Sequence, residues 1–373
     1  MRIAFWVATA VIAYTYLGYA GWLWLRSRCF PKPVKSAPCT PSVSIVIVVR
    51  NEAERLERKL QNLMASDYPG DRMEIVVASD GSTDRTNEIL SGYSGSERVH
   101  ALLHPESRGK AAGINDAVAK ARGEIIVFND ARQEIEPQAL RLLVENFADP
   151  SVGCASGELM LGDPRTGEAA KGMGLYWRIE KKIREWEAAS GSVVGATGAL
   201  YAVRRNLLLP VPADTILDDV YIPMQVVRQG SRVVFDPRAR AWDLPNLGTG
   251  REFGRKVRTL SGNYQLLQLS PWLLRSENPL RFQFVSHKLL RLLAPFALAT
   301  ALLMSCLLPE PVYRVALGLQ LAFYGLSLLA VTHLVRGPLA RLTDPAFTFV
   351  MLNSAAVVAF ANFVTRRRAV WMR

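Results

Sequence analysis

The sequence has few of the residues from which metal clusters and disulfide frameworks are built. Its four cysteines form no CxxC pair, so a zinc site is disfavoured, and we expect packing roles rather than disulfides for Cys29, Cys39, Cys154 and Cys306. The four histidines show no metal-ligand spacing. No G-x-G-x-x-G follows a strand-like run and no G-x-x-x-x-G-K-[ST] occurs. The sequence therefore lacks the phosphate loops of dinucleotide oxidoreductases and P-loop NTPases.

Charged residues are missing from a long stretch near the start of the chain, residues 3–25. At about 1.5 Å per residue, a helix of this length crosses a hydrocarbon layer of about 30 Å. We therefore predict an N-terminal transmembrane helix within residues 1–28; the alternative, a cleaved signal peptide, has a shorter apolar run. Residues 281–373 predict a C-terminal membrane region of about three helices, from the apolar runs 289–308, 312–335 and 346–364.

The net charge of +12 lies partly beside these apolar runs. Basic residues flank both ends of the charged middle of the chain, so the positive-inside rule predicts a multi-pass protein of the plasma membrane with its middle domain in the cytoplasm. Three late spans would leave the basic residues 365–373 outside, against the same rule, so the number of late spans stays open. Anionic membrane lipids and a phosphate-bearing substrate explain the charge. We expect no nucleic-acid partner, because no basic and aromatic surface pattern is present.

The middle of the chain alternates between buried strand patterns and helix patterns. β-branched or apolar runs at 41–49, 74–79, 99–103 and 124–129 are each followed by a helical pattern. This alternation predicts an α/β domain with a mostly parallel, Rossmann-like sheet. Ligands of such sheets bind beyond the carboxyl ends of the strands, where Glu52, Asp80 and Asp130 stand. Any one of these residues could instead be an ordinary turn or cap residue.

Six motifs in order give the middle domain a family resemblance. They are "VSIVIVVRNEAERLERKL", "ASDGSTDRT", "RGKAAGINDAVAKARGEIIVFNDA", "GATGALYAVRR", "TILDDVYIP" and "RKVRTLSGNYQ". Residues 40–280 resemble the family 2 glycosyltransferases of the GT-A fold, in the membrane branch that includes cellulose, chitin, hyaluronan and poly-N-acetylglucosamine synthases. The resemblance implies a cytoplasmic GT-A domain between transmembrane α-helices. It also implies inverting transfer of a sugar from a nucleoside diphosphate donor, which we expect to be UDP-linked.

The catalytic base is implied by "TILDDV", which resembles the Thr-Glu-Asp motif of the family. Asp219 matches the catalytic aspartate, and Asp218 replaces the glutamate. Two adjacent carboxylates repel each other, which favours a proton acceptor. The alternative is that both residues only cap the following helix. The motif "GATGALYAVRR" places Gly198 and Tyr201 beside the acceptor, in the manner of the family.

The donor site is implied by residues of three other motifs. Glu52 and Asp80 match family residues that hold the nucleoside, although Ser79 replaces the first acid of the usual pair. Lys110 lies where the family places a residue close to the nucleotide; a solvated lysine at a helix start is the alternative.

The leaving diphosphate is expected to meet the motif "RKVRT", which stands where the family has Gln-x-x-Arg-Trp. Arg258 matches the arginine and Arg255 replaces the glutamine, and guanidinium groups suit bidentate pairing with a diphosphate. Thr259 replaces the tryptophan that stacks on the acceptor in polymerising relatives. Trp177, Trp186 or Trp242 could supply another stacking surface.

The family's D-x-D motif, which binds a metal ion through two aspartates, is only half present in this sequence. Asp130 matches the first aspartate of the D-x-D motif, and Arg132 stands at the second. Mg²⁺ or Mn²⁺ could still bind through Asp130, waters and donor phosphates. Alternatively, Arg132 supplies part of the cation's charge.

Three functions are consistent with these residues. The leading hypothesis is sugar transfer to a growing oligosaccharide or polysaccharide, with other polysaccharide biosynthesis proteins as partners. The alternative is a single addition to a membrane lipid, which the missing tryptophan favours. A catalytically weak sugar-nucleotide sensor is the third, motivated by Ser79 and Arg132; the retained Asp219 argues against it.

Overall fold

The computed structural model describes residues 1–163, 175–243, 249–331 and 340–365, and it divides into two compact units. The first unit contains Met1–Leu25, Gly172–Ile183 and Asn246–Arg373. The second unit contains Arg26–Lys171 and Arg184–Pro245. The end of the apolar run 312–335 and all but the first residue of the basic stretch 365–373 lie outside the described residues.

The helices in chain order are α1 to α13. Their bounds are α1 Arg2–Ala13, α2 Tyr19–Cys29, α3 Ala53–Met64, α4 Thr86–Ser91, α5 Lys110–Lys120, α6 Ala139–Glu145, α7 Leu175–Ala189, α8 Asp218–Arg228, α9 Thr249–Leu269, α10 Arg281–Phe284, α11 Leu290–Leu307, α12 Pro311–Val331 and α13 Ala340–Val364. A π-helical turn, Tyr14–Gly18, joins α1 to α2, and a second, Val285–Leu289, joins α10 to α11.

The second unit is built on an eight-stranded mixed sheet. The strands are β1 Val43–Val49, β2 Met73–Asp80, β3 Val99–His104, β4 Ile125–Phe128, β5 Glu134–Ile135, β6 Val152–Leu161, β7 Tyr201–Arg204 and β8 Arg232–Asp243. Their spatial order is β3-β2-β1-β4-β7-β6-β8-β5. The first four strands run parallel, which confirms the predicted α/β class. The strand β7 is antiparallel to both of its neighbours, a reversal that the sequence pattern did not indicate.

The core of this unit forms because the central strands are apolar on both faces. Strand β1 is buried along almost its whole length, and Ile45 and Ile47 have no exposed surface. On α3, Leu56, Leu60 and Leu63 recur at helical spacing and are completely buried against the sheet. Covering both faces of a parallel sheet with helices leaves its carboxyl edge as the open place for a site.

Four helices, which lie mainly in the first unit, are long and apolar enough to cross a membrane. Within the described residues they are Arg2–Cys29, Arg281–Leu307, Pro311–Ala330 and Leu342–Val364. Phe5 of α1 packs edge-on against Tyr313 of α12, with ring centroids 4.9 Å apart. Buried polar contacts also join helices here, since Glu180 of α7 accepts from Arg291 at 2.7 Å and lies 3.0 Å from His287 Nε2.

Candidate active site

Three carboxylates and one ammonium group meet at the carboxyl edge of the sheet. Asp130 follows β4 by two residues, and Lys110 is the first residue of α5. Asp218 and Asp219 open α8, which places both carboxylates at a helix N-terminus, where the helix dipole favours negative charge. Asp130 and Asp218, which are more than 80 positions apart in the chain, therefore come together at this edge.

Lys110 lies between two of these carboxylates. Its Nζ is 3.1 Å from Asp130 Oδ1 and 3.2 Å from Asp218 Oδ2. Burial disfavours the charged ammonium, but the nearby carboxylates of Asp130, Asp218 and Asp219 outweigh burial and raise the pKa of Lys110 above its ordinary value. The ammonium is therefore a fixed positive charge at the centre of the site, and a freely solvated lysine is excluded.

Asp219 is held by the backbone on the other side of the cluster. The Gly198 N–H donates to Asp219 Oδ2 at 3.2 Å, and the Ala196 N–H donates to the Asp219 carbonyl at 2.7 Å. A Cβ atom at Gly198 would lie 3.4 Å from Asp219 Oδ2 and 3.6 Å from Asp130 Oδ2. Glycine therefore keeps open the space between the two carboxylates, where a reacting group would lie.

Arg132 forms an ion pair with Asp243, the last residue of β8. The side chain of Asp243 is 6% exposed, and its Oδ2 also accepts from Gln133 Nε2 at 3.2 Å. Its Oδ1 is buried and has no hydrogen-bond partner among the described residues. The guanidinium charge of Arg132 is therefore largely balanced within the protein, which weakens the hypothesis that Arg132 replaces the cation.

The residues present fit a divalent cation held by a single protein carboxylate. The described residues contain no group of three or more His, Cys, Asp or Glu side chains that could hold a metal ion. Asp130, however, has a side chain that is 41% exposed, and its Oδ2 borders the open space at Gly198. Mg²⁺ commonly binds through one or two carboxylates, waters and substrate phosphates. Asp130 is thus the residue that would hold such a cation, and its metal role stays a prediction.

Asp80, the last residue of β2, is buried and hydrogen-bonded to the turn that precedes α5. Its carboxylate accepts from Ser107 Oγ at 2.8 Å, from the Arg108 N–H at 2.7 Å and from the Gly109 N–H at 3.0 Å. The residue is 1% exposed. These bonds fix the turn that leads into Lys110, so the Asp80 carboxylate is already hydrogen-bonded within the protein, and its donor role stays a prediction.

Glu52 lies at the start of α3, on the same edge of the sheet. Its N–H donates to Thr86 Oγ1 at 2.9 Å, and its carboxylate forms an ion pair of 3.3 Å with Arg55. The side chain is 27% exposed, so it can still meet a ligand, and its donor role stays a prediction.

Tyr201 is completely buried inside the sheet and does not border an acceptor. Its ring stacks on Phe128 with centroids 4.7 Å apart, and burial raises the pKa of its hydroxyl. Tyr201 is paired with Phe128 in the antiparallel register of β4 and β7, and both rings are buried. Trp242 is also buried, with its Nε1–H on Glu136 Oε1 at 2.9 Å, so it offers no surface for sugar stacking.

Arg255 and Arg258 lie three residues apart on one face of α9, in the first unit. Both are half-buried, and Arg255 provides the carbonyl that the Thr259 hydroxyl binds at 3.0 Å. The Thr259 hydroxyl is therefore used within its own helix. In the same unit, the Lys256 ammonium lies 5.1 Å from the centre of the Trp177 ring. The diphosphate role of the two arginines stays a prediction.

Sequence reasoning missed two residues beside the Asp130 strand end. Asp243 is separated from Arg132 by 111 positions, so no local pattern indicates the pair. Lys59 had a visible signal, because it falls on the buried face of α3 beside Leu56, Leu60 and Leu63 and is itself only 2% exposed. A lysine on an apolar helix face is costly unless its ammonium has a partner.

Comparison with known proteins finds glycosyltransferases. Residues 44–209 match the family described as Glycosyl transferase family 2. The chain is 24% identical over 252 residues to poly-beta-1,6-N-acetyl-D-glucosamine synthase of Staphylococcus aureus strain COL, covering 65% of this chain and 60% of that protein. It is 23% identical over 239 residues to the synthase of the same name from Staphylococcus epidermidis, covering 62% and 56%. The chain thus matches about 60% of the length of these relatives or less.

A solved structure has the same fold over nearly the whole chain. The mannosyltransferase PcManGT from Pyrobaculum calidifontis, in complex with GDP-Man and Mn²⁺, has a TM-score of 0.76, with 98% of this chain and 99% of that chain covered. The two sequences are 23% identical, so the likeness concerns the fold.

The fold and the site at its carboxyl edge define a GT-A-like glycosyltransferase domain, and the described residues also contain four helices that are long and apolar enough to cross a membrane. Residues 44–209, somewhat less than half of the chain, match the model of glycosyltransferase family 2, and the curated relatives are named as polysaccharide synthases.

Proposed function

We propose that this protein is a membrane glycosyltransferase that moves a sugar from a nucleoside diphosphate donor, UDP-linked, to a growing oligosaccharide or polysaccharide with inversion at the anomeric carbon. The observation that carries the proposal is the cluster of Lys110, Asp130 and Asp219 around the open space at Gly198. The apolar helices would cross the plasma membrane, with the catalytic domain on the cytoplasmic side.

The proton acceptor in this proposal is Asp219. As the acceptor oxygen attacks the anomeric carbon, its hydroxyl proton passes to an Asp219 oxygen, and the bond from the anomeric carbon to the diphosphate oxygen breaks. Attack from the face opposite the leaving group inverts the centre. The Gly198 N–H holds Oδ2 of Asp219, which fixes the carboxylate during the transfer. Asp218 cannot serve equally, because it is 5% exposed and paired with Lys110.

The leaving diphosphate in this proposal is stabilised by fixed positive charge. Lys110 presents an ammonium whose position is set by Asp130 and Asp218 before the donor arrives, so little reorganisation is needed when charge develops. Arg258 and Arg255, which lie on α9, would form ion pairs with the oxygens of the diphosphate. A divalent cation bound at Asp130 would supply further charge stabilisation of the diphosphate.

A single addition to a lipid acceptor is the second candidate. It is favoured by Thr259, which stands at the position of the acceptor-stacking tryptophan and uses its hydroxyl within α9. Incubating the purified, membrane-reconstituted protein with a panel of radiolabelled nucleotide sugars and sizing the products separates the candidates. A long polymer supports the first function, a labelled lipid supports the second, and the absence of any product with all donors refutes both.

A further inference from the structure

The segment that contains Asp130 is held by hydrogen bonds from side chains of α3 to its backbone. This segment, residues 130–135, is named here the Asp130 loop. It ends in β5, the two-residue edge strand, which pairs on one side with β8 through Glu134 opposite Trp242 and Ile135 opposite Ala241. The other side of an edge strand has no neighbouring strand, so its backbone groups need partners from elsewhere.

Helix α3 supplies these partners from consecutive turns. Asn62 Oδ1 accepts the Ile135 N–H at 3.0 Å, and Asn62 Nδ2 donates to the Ile135 carbonyl at 3.0 Å. One turn earlier, Lys59 Nζ donates to the Gln133 carbonyl. The Asn62 amide thus reproduces the two hydrogen bonds that a further strand would make, and Lys59 extends the same contact towards Asp130.

Burying the Lys59 ammonium costs free energy of desolvation. The side chain is 2% exposed and lies among completely buried leucines of α3. An apolar residue of similar length would fill the same space without an ammonium to desolvate. Burial lowers the pKa of Lys59 to about 7, although the negative charges of Asp130 and Glu134 oppose the shift. Stability alone therefore does not account for a lysine at this position.

We propose that Lys59 is a positioning residue that, with Asn62, holds the Asp130 loop in the arrangement needed to bind the diphosphate end of the donor. This inference rests on the proposed function. Asp243, at the end of β8, forms an ion pair with Arg132 and accepts a hydrogen bond from Gln133. The Asp130 loop is therefore held both by α3 and by β8. Lys59 reaches the loop through the backbone of Gln133 and touches neither donor nor acceptor itself.

The positioning role is tested by comparing how the protein binds a nucleoside diphosphate with how it binds the nucleoside alone. For the full-length protein in detergent, the dissociation constants of UDP with Mn²⁺ and of uridine alone are measured by calorimetry for the wild type, Lys59→Met and Asn62→Ala. We expect both variants to bind UDP with Mn²⁺ at least about tenfold more weakly and uridine within about twofold of the wild type. Leu60→Ala, a buried substitution on the same helix, is the control and should leave the ratio of the two constants unchanged.

Each outcome decides the proposal. Lys59→Met should keep the unfolding temperature within a few degrees, because the variant loses one hydrogen bond but no longer buries an ammonium. If Lys59→Met binds UDP with Mn²⁺ like the wild type, or if both constants weaken together, the positioning role is refuted. If Lys59→Met does not fold, Asn62→Ala decides in the same way. A wild type that binds neither UDP nor GDP refutes the proposed function, and the positioning role with it; if it binds GDP, the comparison uses GDP and guanosine.

Discussion

The Lys110 ammonium lies 3.1 Å from the Asp130 carboxylate and 3.2 Å from that of Asp218, so one cation joins the end of β4 to the start of α8. The three side chains come from parts of the chain that are distant in sequence. A cation between two such carboxylates fixes the shape of the site before a donor arrives.

Replacing Lys110 by Met should destabilise the protein and stop transfer. The substitution leaves buried Asp218 without its cation, and breaking a buried pair from one side costs about 3 to 5 kcal/mol. Thermal unfolding in detergent measures the loss. Lys120→Met, an exposed lysine at the end of the same helix, is the matched control and should unfold like the wild type. An unchanged unfolding temperature for Lys110→Met would show that the pair contributes nothing.

Replacing Asp219 by Asn should lower transfer by about 10²-fold to 10⁴-fold, the usual contribution of a general base. The amide keeps the shape of the carboxylate and can still accept from the Gly198 N–H. Donor binding should therefore stay near the wild-type value. Rates come from the radiolabelled transfer assay and affinity from calorimetry. A variant that loses donor binding as well would indicate a structural role for Asp219.

Replacing Arg258 by Ala should reduce kcat/KM for the donor by about 10²-fold, the scale of removing one donor that stabilises developing negative charge. Arg275→Ala, an exposed arginine near the end of the same unit's α9, is the control and should retain full activity. Equal turnover by Arg258→Ala and the control would show that the "RKVRT" motif has been assigned incorrectly.

Removing divalent cations with EDTA should abolish transfer, and Mg²⁺ or Mn²⁺ should restore it. Among the described residues, Asp130 is the single carboxylate that we expect to hold the cation, so we expect a low affinity. Arg132→Asp should increase the affinity for the cation, provided that the change does not unfold the loop near Asp243. The readout is activity against free cation concentration, with unfolding temperature as the check. Full activity in EDTA would remove the metal from the mechanism.

The stability of the protein should rise with pH above about 7 because of Lys59. Its pKa falls from 10.5 in the unfolded chain to about 7 in the folded protein, so between these values the unfolded state binds about one more proton. The free energy of unfolding then increases by about 1.4 kcal/mol per pH unit, and below pH 7 the full cost of the buried ammonium remains. Unfolding of the wild type and Lys59→Met is compared across this window. Parallel pH profiles would contradict the shift.

Short-range patterns were sufficient for the parallel half of the sheet. β-branched runs such as Val43–Val49 are typical of strands that are covered on both faces. The positions of these strands in the chain, and the residues at their carboxyl ends, could therefore be predicted from the sequence. The placement of Asp130 at the carboxyl edge of the sheet followed from these ends. Its meeting with Lys110 and Asp218, the hydrogen bonds of Asp80 and the burial of Tyr201 did not follow, because each depends on which distant loop or strand comes to lie beside the residue.

The sequence by itself determined the elements and the chemistry available at their ends: apolar helices, an α/β domain, and acids and bases at one edge of its sheet. Only the tertiary structure decided how those groups are paired. The insertion of β7 between β4 and β6 buries Tyr201, and the approach of β8 gives Arg132 its partner Asp243. Pairing of this kind is decided by packing between segments far apart in the chain, where local patterns contain no information about the neighbour.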